Sequence, residues 1–431
     1  MKTIRQWIYD LESGALDGEL TYLYGEPISR QKQRHVAALK AYEANFAPDV
    51  PVAIFSAPGR TEIGGNHTDH QRGRVLAGAV TMDMLAVAAP AENGMVTIVS
   101  EGYGKDTVDL SDLTCVEKEV NTSKALIRGV AAGLHQRGYA HGGFNAYLMS
   151  DVPQGSGLSS SAAYEVLLGT IFNGFYNNQT ITPVEIAQIG QYAENAYFKK
   201  PSGLMDQMAS SVGSVCSIDF QDPANPAITR MEREFAQMGY ALYVVNAGGS
   251  HAGLTEEYAA IPLEMHMVSQ QFGKEVLRDV DENDFYERMG QLRGTVPDRA
   301  LLRAIHFFDE NARVPLQIDA LERGDGAAFC RLMLASGASS LGNLQNIYPA
   351  NSIEERSVSL ALALCAHALA HDGAWRVHGG GFAGTVQALV PMKGTESFRQ
   401  IMEQAFGRGS VHPLRIRPVG GYMLGKSLYT N

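Results

Sequence analysis

The stretch DVPQGSGLSSSAAYEV, residues 151–166, joins a short apolar segment to a helix-like one. Gly155 and Gly157 let the backbone turn tightly and approach a ligand closely. The serines Ser159, Ser160 and Ser161 open the predicted helix, whose first amide groups lack intrahelical partners beneath the positive end of the helix dipole. One serine could merely cap the helix, but three serines after two glycines exceed that need. We predict a cradle for the phosphates of a nucleotide.

Outward from this stretch, the apolar periodicity indicates an α+β chain. Residues 1–45 have helical spacing, and VAIFSAP, DMLAVAAP, MVTIVS and FNAYLMSDV are short, strand-like segments. Helices follow in SSAAYEVLLGTIFNGFY and VEIAQIGQYAENAYF. A second set of strands, a helical half from about 253 to 371 and a tail of mixed elements complete the chain. We predict two lobes with mixed sheets, 1–225 and 226–431, divided in QDPANP.

Composition limits the partners and the compartment. At 431 residues the chain is long enough for two domains, and its net charge of −11 comes without a basic tract, so nucleic acid and anionic membranes are unexpected partners. No apolar run reaches the roughly 18 residues of a membrane span. Four widely spaced cysteines suggest neither a disulfide framework nor a zinc site. We expect a cytoplasmic protein, and the oligomeric state stays open.

Two further loops are rich in glycine. GRTEIGGNHTDH, residues 59–70, places charged and polar residues between two apolar runs, which a solvated connection would also explain. VHGGGFAGTVQALV, residues 377–390, fits the spacing GxGxxG. That fingerprint needs a helix directly after the glycines, whereas TVQALV has the pattern of a strand. We therefore reject a dinucleotide site and predict a strand-loop-strand turn that lies against phosphates or substrate.

Three residues are candidates for acid, base or metal chemistry. Magnesium takes oxygen ligands and few protein groups, so Ser161 could supply a hydroxyl and Glu194 a carboxylate. Asp206, in PSGLMDQMASSVGS, either complements the dipole of a helix or polarises an attacking hydroxyl beside Arg60. A glutamate on a helix is more often a solvated surface residue. The residues alone leave these alternatives open.

Taken in order, GRTEIGGNHTDH, GSGLSSSAA and GGGFAG resemble the three signatures of the GHMP kinase superfamily. The first loop resembles that of galactokinases, GR-x-N-[LI]-I-G-E-H-T-D-Y. The runs AENAY, SGLMDQ, SIDF and LTEEY extend the resemblance from about residue 45 to the end. It implies a two-lobed α+β fold with a ferredoxin-like C-terminal lobe, and transfer of the γ-phosphate of ATP to the anomeric hydroxyl of a galactose-like sugar.

The resemblance also assigns residues. It implies that Asp206 lies at the attacking hydroxyl and that Arg60 stabilises charge beside it. ATP phosphates would meet the serine loop, and Mg²⁺ would meet Ser161 and Glu194. The remaining carried-over positions are expected to contact the sugar: Asn66, His67, Asp69, Gly203 and Tyr258.

The first loop departs from the galactokinase pattern at positions that include 62, 66 and 70. Asn66 stands where the family has glutamate, Glu62 where it has asparagine, and His70 where it has tyrosine. The family glutamate is a partner of the C6 hydroxyl, so the change bears on sugar choice. We expect galactose to be accepted through Asn66, with galacturonate, N-acetylgalactosamine and arabinose as alternatives.

Two other classes compete with a sugar kinase. A sensor that binds sugar and ATP without catalysis would be favoured by loss of Asp206 or an interrupted serine loop, and neither is present. A kinase of mevalonate or homoserine is disfavoured by HTDH, which resembles the sugar-specific branch.

Overall fold

The computed structural model describes residues 1–46, 50–153, 157–231, 233–249, 253–351, 353–370 and 372–425. The helices are α1 Ile4–Ser13, α2 Asp17–Tyr24, α3 Ser29–Asn45, α4 Ser123–Gln136, α5 Ser160–Tyr176, α6 Pro183–Tyr192, α7 Met205–Val212, α8 Thr255–Gln270, α9 Glu282–Glu287, α10 Met289–Leu292, α11 Asp298–Arg323, α12 Gly326–Ser339, α13 Ser357–Leu369 and α14 Thr395–Phe406. The strands are β1 Ala53–Gly64, β2 Arg74–Ala91, β3 Met95–Ser100, β4 Lys105–Asp109, β5 Gly143–Ser150, β6 Val215–Asp219, β7 Ala227–Met231, β8 Tyr240–Gly248, β9 Ala374–Val377, β10 Gly384–Pro391, β11 Val411–Leu414 and β12 Tyr422–Met423.

The first sheet lies between two layers of helices. Its main path runs β12-β1-β2-β5-β3-β4, and β6 pairs with β2 and with β7. Side chains alternate between the faces of a strand, so Ile54 packs toward α1–α3 while Phe55 packs toward α4–α6. The predicted helical lead-in is confirmed. A capping box at Thr3 begins it, and the indole of Trp7 donates to the carbonyl of Val52 at 3.0 Å.

A buried ion cluster fastens the lead-in helices to this sheet. Asp83 of β2 accepts from Arg34 of α3, from Arg417 near the C-terminus and from Tyr24 of α2. Asp83 and Arg417 are fully buried. Burial raises the pKa of Asp83, but the charges of Arg34 and Arg417 outweigh it and hold that pKa well below its ordinary value.

The second sheet has the predicted ferredoxin-like arrangement. Its order is β11-β8-β10-β9 and every pair is antiparallel. The helices α8–α13 connect β8 to β9, and α14 connects β10 to β11, so the chain follows the order βαββαβ. The α+β fold class is confirmed.

The predicted division near residue 225 falls inside the first sheet. The segment QDPANP forms the turn between β6 and β7, which pair antiparallel from Val215–Met231 to Asp219–Ala227. The C-terminal strand β12 returns to pair with β1. A cut at 225 is therefore too early for this sheet, although the division into two lobes stays a prediction. Among the described residues, no helix combines the length and apolarity needed to cross a bilayer.

The first glycine-rich stretch is a loop only in its second half. Strand β1 continues through Gly64 with all twelve residues buried, so Arg60 and Glu62 lie on a strand. Both side chains are polar although both are buried. The strand therefore lacks the apolar pattern by which a buried strand is predicted from sequence. The turn begins at Gly65 (φ 82°) and reaches His67 (φ 56°), both in the left-handed region. The prediction of one continuous loop over 59–70 is thus wrong for residues 59–64.

Candidate active site

Arg60 and Asp206 form the centre of the candidate site. The Nε of Arg60 lies 2.6 Å from Oδ1 of Asp206, and the hydroxyl of Ser159 donates to Oδ2 at 2.6 Å. Arg60 is buried near the end of β1, whereas 28% of the Asp206 side chain, in the first turn of α7, remains exposed. Burial raises the pKa of Asp206, but Arg60 and the two hydrogen bonds outweigh burial and lower it. Asp206 is therefore an ionised acceptor fixed in orientation.

The serine loop lies directly against this pair. Ser159, with φ 56°, is the N-cap residue of α5, yet its side chain makes no capping bond and instead contacts Asp206. Simple capping by Ser159 is thus excluded. The carbonyl of Gly157 accepts from Arg60, and a Cβ at Gly157 would lie 2.5 Å from Oγ1 of Thr385. Gly155, also predicted to line the phosphates, lies outside the described residues. Ser160 is half-buried at the start of α5.

The predicted metal ligands are brought together. The Ser161 hydroxyl donates to Oε1 of Glu194 at 3.1 Å, and Nζ of Lys200 lies 2.8 Å from the same oxygen. Glu194 is buried in a π-helical turn, Ala193–Phe198, and its Oε2 accepts from Gln207 at 2.9 Å. The structural alternative of a solvated surface glutamate is therefore wrong.

Glu165 is a carboxylate of this site that the sequence analysis missed. It is fully buried in α5, and Nε2 of Gln207 bridges it to Glu194, 2.9 Å from each. Burial and then the charge of Glu194 hold the pKa of Glu165 well above its ordinary value. The signal was a glutamate within the otherwise apolar run AAYEVLLG, but one charge in a helix does not reveal which face is buried.

Asp69 and Gly203, both predicted to bind the sugar, lie against each other. A Cβ added to Gly203 would lie 1.7 Å from Oδ2 of Asp69, so the carboxylate lies directly on the glycine backbone. Burial, and then the charge of Asp206, raise the pKa of Asp69 to about 6. The structure thus places the predicted sugar-binding carboxylate beside the predicted catalytic one.

His67 and Tyr258 hold the third glycine-rich loop. Nε2 of His67 donates to the carbonyl of Gly380 at 3.0 Å, and the Tyr258 hydroxyl donates to that of Gly381 at 2.9 Å. The loop lies between strands β9 and β10, which confirms the strand-loop-strand prediction. Both predicted sugar-binding residues are half-buried around this loop.

Asn66 does not fit the predicted contact with the sugar. Its side chain is fully buried. Its amide donates to Glu62 and to the carbonyl of Gly379, each at 2.9 Å, and its oxygen accepts from Ser340 and Asn346 at 3.3 and 3.0 Å. An amide has two donor hydrogens and two acceptor lone pairs. Protein groups occupy all four, so Asn66 has a structural role.

Glu62 explains why an amide stands at position 66. The Glu62 carboxylate accepts from Asn66 and from the fully buried Arg376 of β9. A second carboxylate at 66 would repel Glu62 in this interior. The sequence showed that asparagine and glutamate are exchanged between positions 62 and 66 relative to the galactokinase pattern. It did not show that these two side chains contact each other.

Two protein-family models match parts of this chain. The family model of the GHMP kinases N terminal domain matches residues 125–214, which include the serine loop, Glu194 and Asp206. The galactokinase galactose-binding signature matches residues 40–90, which include Arg60 and Asp69. The chain therefore carries segments similar to the GHMP kinase N-terminal domain and to the galactose-binding signature of galactokinases.

Solved GHMP kinases share the fold over most of their length. The galactokinase of Lactococcus lactis, solved in complex with galactose, has a TM-score of 0.76 at 24% identity, over 89% of this chain and 98% of its own. The mevalonate kinase of Methanococcus jannaschii has a TM-score of 0.59 at 15% identity, over 84% of this chain and 98% of its own. A D-glycero-D-manno-heptose 1-phosphate kinase from Bacteroides thetaiotaomicron has a TM-score of 0.56 at 14% identity, over 88% of this chain and 100% of its own.

Proposed function

We propose that this chain is a GHMP kinase that transfers the γ-phosphate of ATP to the anomeric hydroxyl of galactose, giving galactose 1-phosphate and ADP. The observation that carries the proposal is the Arg60–Asp206 pair, which lies between the serine loop and Asp69. The galactose-binding signature over residues 40–90 supports galactose as the acceptor. An ionised carboxylate between a phosphate cradle and a second carboxylate suits a sugar hydroxyl that attacks a phosphate.

In the proposed reaction Asp206 accepts the proton of the anomeric hydroxyl. A bond forms between that oxygen and the γ-phosphorus, the bond from the γ-phosphorus to the bridging oxygen breaks, and ADP leaves. Arg60 keeps Asp206 ionised and adds positive charge beside the transferred group. Positioning and electrostatics supply most of the rate enhancement in such transfers. Whether the proton moves early or late does not alter this assignment.

The residues present fit a magnesium ion. The Glu194 carboxylate and the Ser161 hydroxyl are adjacent hard oxygen donors, and magnesium bound to a nucleotide needs few protein ligands. No group of three or more His, Cys, Asp or Glu side chains suited to a metal occurs in the described part of the chain, which suits an ion that arrives with ATP. When bound, Mg²⁺ neutralises charge on the phosphate oxygens. We propose Ser161 and Glu194 as its ligands.

At the sugar, the proposal gives Asp69 the role of an acceptor for hydroxyl groups, with Gly203 providing room for its carboxylate. His67 and Tyr258 shape the neighbouring wall through the third loop. Asn66 lacks a free polar group, so recognition of the C6 end passes to other groups. Galacturonate, N-acetylgalactosamine and arabinose therefore stay as alternatives. A cytoplasmic location, where ATP is available, is part of the proposal.

The test is ATP consumption by the purified chain with magnesium and each of five sugars: galactose, galacturonate, N-acetylgalactosamine, arabinose and glucose. Preferred turnover of galactose, with phosphate on the anomeric oxygen by NMR, is the expected result. Preference for another sugar would overturn galactose but keep the mechanism. Binding of sugar and ATP without turnover would favour the sensor. Asp206→Asn protein is the control for contaminating kinases.

A further inference from the structure

Lys200 places an ammonium group at the candidate metal ligand. Its Nζ lies 2.8 Å from Oε1 of Glu194, the oxygen that also accepts from Ser161 at 3.1 Å. The backbone amides of Lys199 and Lys200 both bond to the carbonyl of Glu194, the latter at 3.1 Å. These bonds hold the backbone of Lys200 next to Glu194, and so close to Ser161 of the predicted phosphate cradle.

The same ammonium is also close to the reacting carboxylate. Burial lowers the pKa of Lys200, while the charges of Glu194, Asp206 and Glu165 raise it and prevail. In return, Lys200 helps to lower the pKa of Asp206. Geometry agrees with this proximity, because Gln207, the residue after Asp206, donates to Glu194 at 2.9 Å while Lys200 contacts the other oxygen of Glu194.

Lys200 can exchange partners more easily than Arg60 can. The Lys200 side chain is 57% exposed while that of Glu194 is 3% exposed, so the lysine covers the carboxylate from the solvent side. An ion pair with one exposed member is weak, since water competes for it. Arg60, by contrast, is buried and bonded to both Asp206 and Gly157. A flexible ammonium with three donors suits a phosphate as a point charge.

We infer that Lys200 is a nucleotide-binding residue whose ammonium contacts the γ-phosphate of ATP. This inference rests on the proposed function and adds a residue to it. Lys199 provides a matched control, because it is the adjacent lysine and is exposed.

The experiment measures nucleotide binding by calorimetric titration of three proteins: the wild-type chain, Lys200→Met and Lys199→Met. Each protein is titrated in the absence of sugar, once with ADP and once with a non-hydrolysable ATP analogue. Loss of one charge-assisted contact predicts about tenfold weaker binding of the analogue by Lys200→Met, and less than about threefold for ADP. Lys199→Met should bind both like the wild type. Lys200→Arg keeps the charge and should stay within about threefold for the analogue. If Lys200→Met does not fold, Lys200→Gln takes its place.

Three results would overturn the inference. Unchanged affinity of Lys200→Met for both nucleotides, with a lower unfolding temperature, would make Lys200 a counter-ion of Glu194 alone. Equal losses for ADP and the analogue would remove the assignment to the γ-phosphate. A wild-type chain that binds neither nucleotide would overturn the proposed function together with the inference, whereas the first two results leave that function intact.

Discussion

Arg60 and Asp206 are 146 positions apart in the chain, yet the guanidinium Nε of one lies 2.6 Å from a carboxylate oxygen of the other. The contact joins the end of β1 to the first turn of α7. Because Ser159 bonds the other oxygen of Asp206, the serine loop is part of the same unit. One hydrogen-bonded group therefore connects the serine loop, proposed to hold the phosphates, to the carboxylate proposed to meet the sugar hydroxyl.

Asp206→Asn should abolish most turnover and leave the fold intact. The amide keeps the shape but cannot accept the hydroxyl proton, and general-base assistance typically contributes about 10²- to 10⁴-fold. We expect kcat with the preferred sugar to fall by about that factor, while nucleotide affinity changes little. A variant with near-normal kcat would remove Asp206 from the mechanism.

Gly203→Ala should weaken sugar binding selectively. The added Cβ would lie 1.7 Å from the Asp69 carboxylate, which has to move. We expect KM for the sugar to rise by about tenfold or more, whereas ADP affinity stays unchanged. Gly290→Ala, whose Cβ meets nothing within 4 Å, is the matched control. Equal sugar KM values for the two variants would contradict the role of Asp69.

Sugar affinity should depend on the ionisation of Asp69. Burial and Asp206 raise its pKa to about 6 in the free protein, and sugar hydroxyls donate to the ionised form. Sugar affinity should therefore be highest above pH 6, where Asp69 is ionised, and should decline as the pH falls below the pKa of Asp69. We expect KM for the sugar to rise about tenfold per pH unit below that value. Asp69→Asn protein, which has no such group, should have a flat profile between pH 5 and 7.

Asp83→Asn should destabilise the fold. Removing the carboxylate takes away the ion-pair partner of buried Arg417 and one of the two carboxylates beside buried Arg34, which keeps Asp151; breaking such a buried pair typically costs about 3–5 kcal/mol. Urea unfolding measures the loss, and Asp319→Asn, at an exposed pair with Arg323, should cost less than about 1 kcal/mol.

The same cluster predicts the direction of acid unfolding. The folded-state pKa of Asp83 lies below its unfolded value, so its contribution to stability is complete above the unfolded pKa. That contribution declines as pH falls toward the folded one. Wild-type stability should therefore fall below about pH 4, and the part due to Asp83 should be missing from Asp83→Asn. Parallel pH profiles of the two proteins would contradict this assignment.

Asn66→Ala should lower stability without changing sugar preference. The substitution removes four hydrogen bonds among buried partners, including Glu62 and Asn346, and should cost about 2–4 kcal/mol. Relative turnover across the five sugars should stay as in the wild type. The exposed Asn45→Ala is the control for stability. A changed sugar preference at unchanged stability would return Asn66 to the sugar pocket.

The amino-acid sequence by itself determined the α+β class, the helical lead-in and most strands, because these depend on local apolar periodicity and on turn residues. It also pointed to Arg60, Asp206, Ser161 and Glu194 through short motifs and their resemblance to those of GHMP kinases. Only the tertiary structure decided that GRTEIG is a strand, that Asn66 is fully bonded within the protein, and that Lys200 and Glu165 join the site. Those outcomes depend on which residues, distant in sequence, contact each other in the buried interior. Such contacts, and not the neighbours in the chain, decide which hydrogen bonds and charge pairs form.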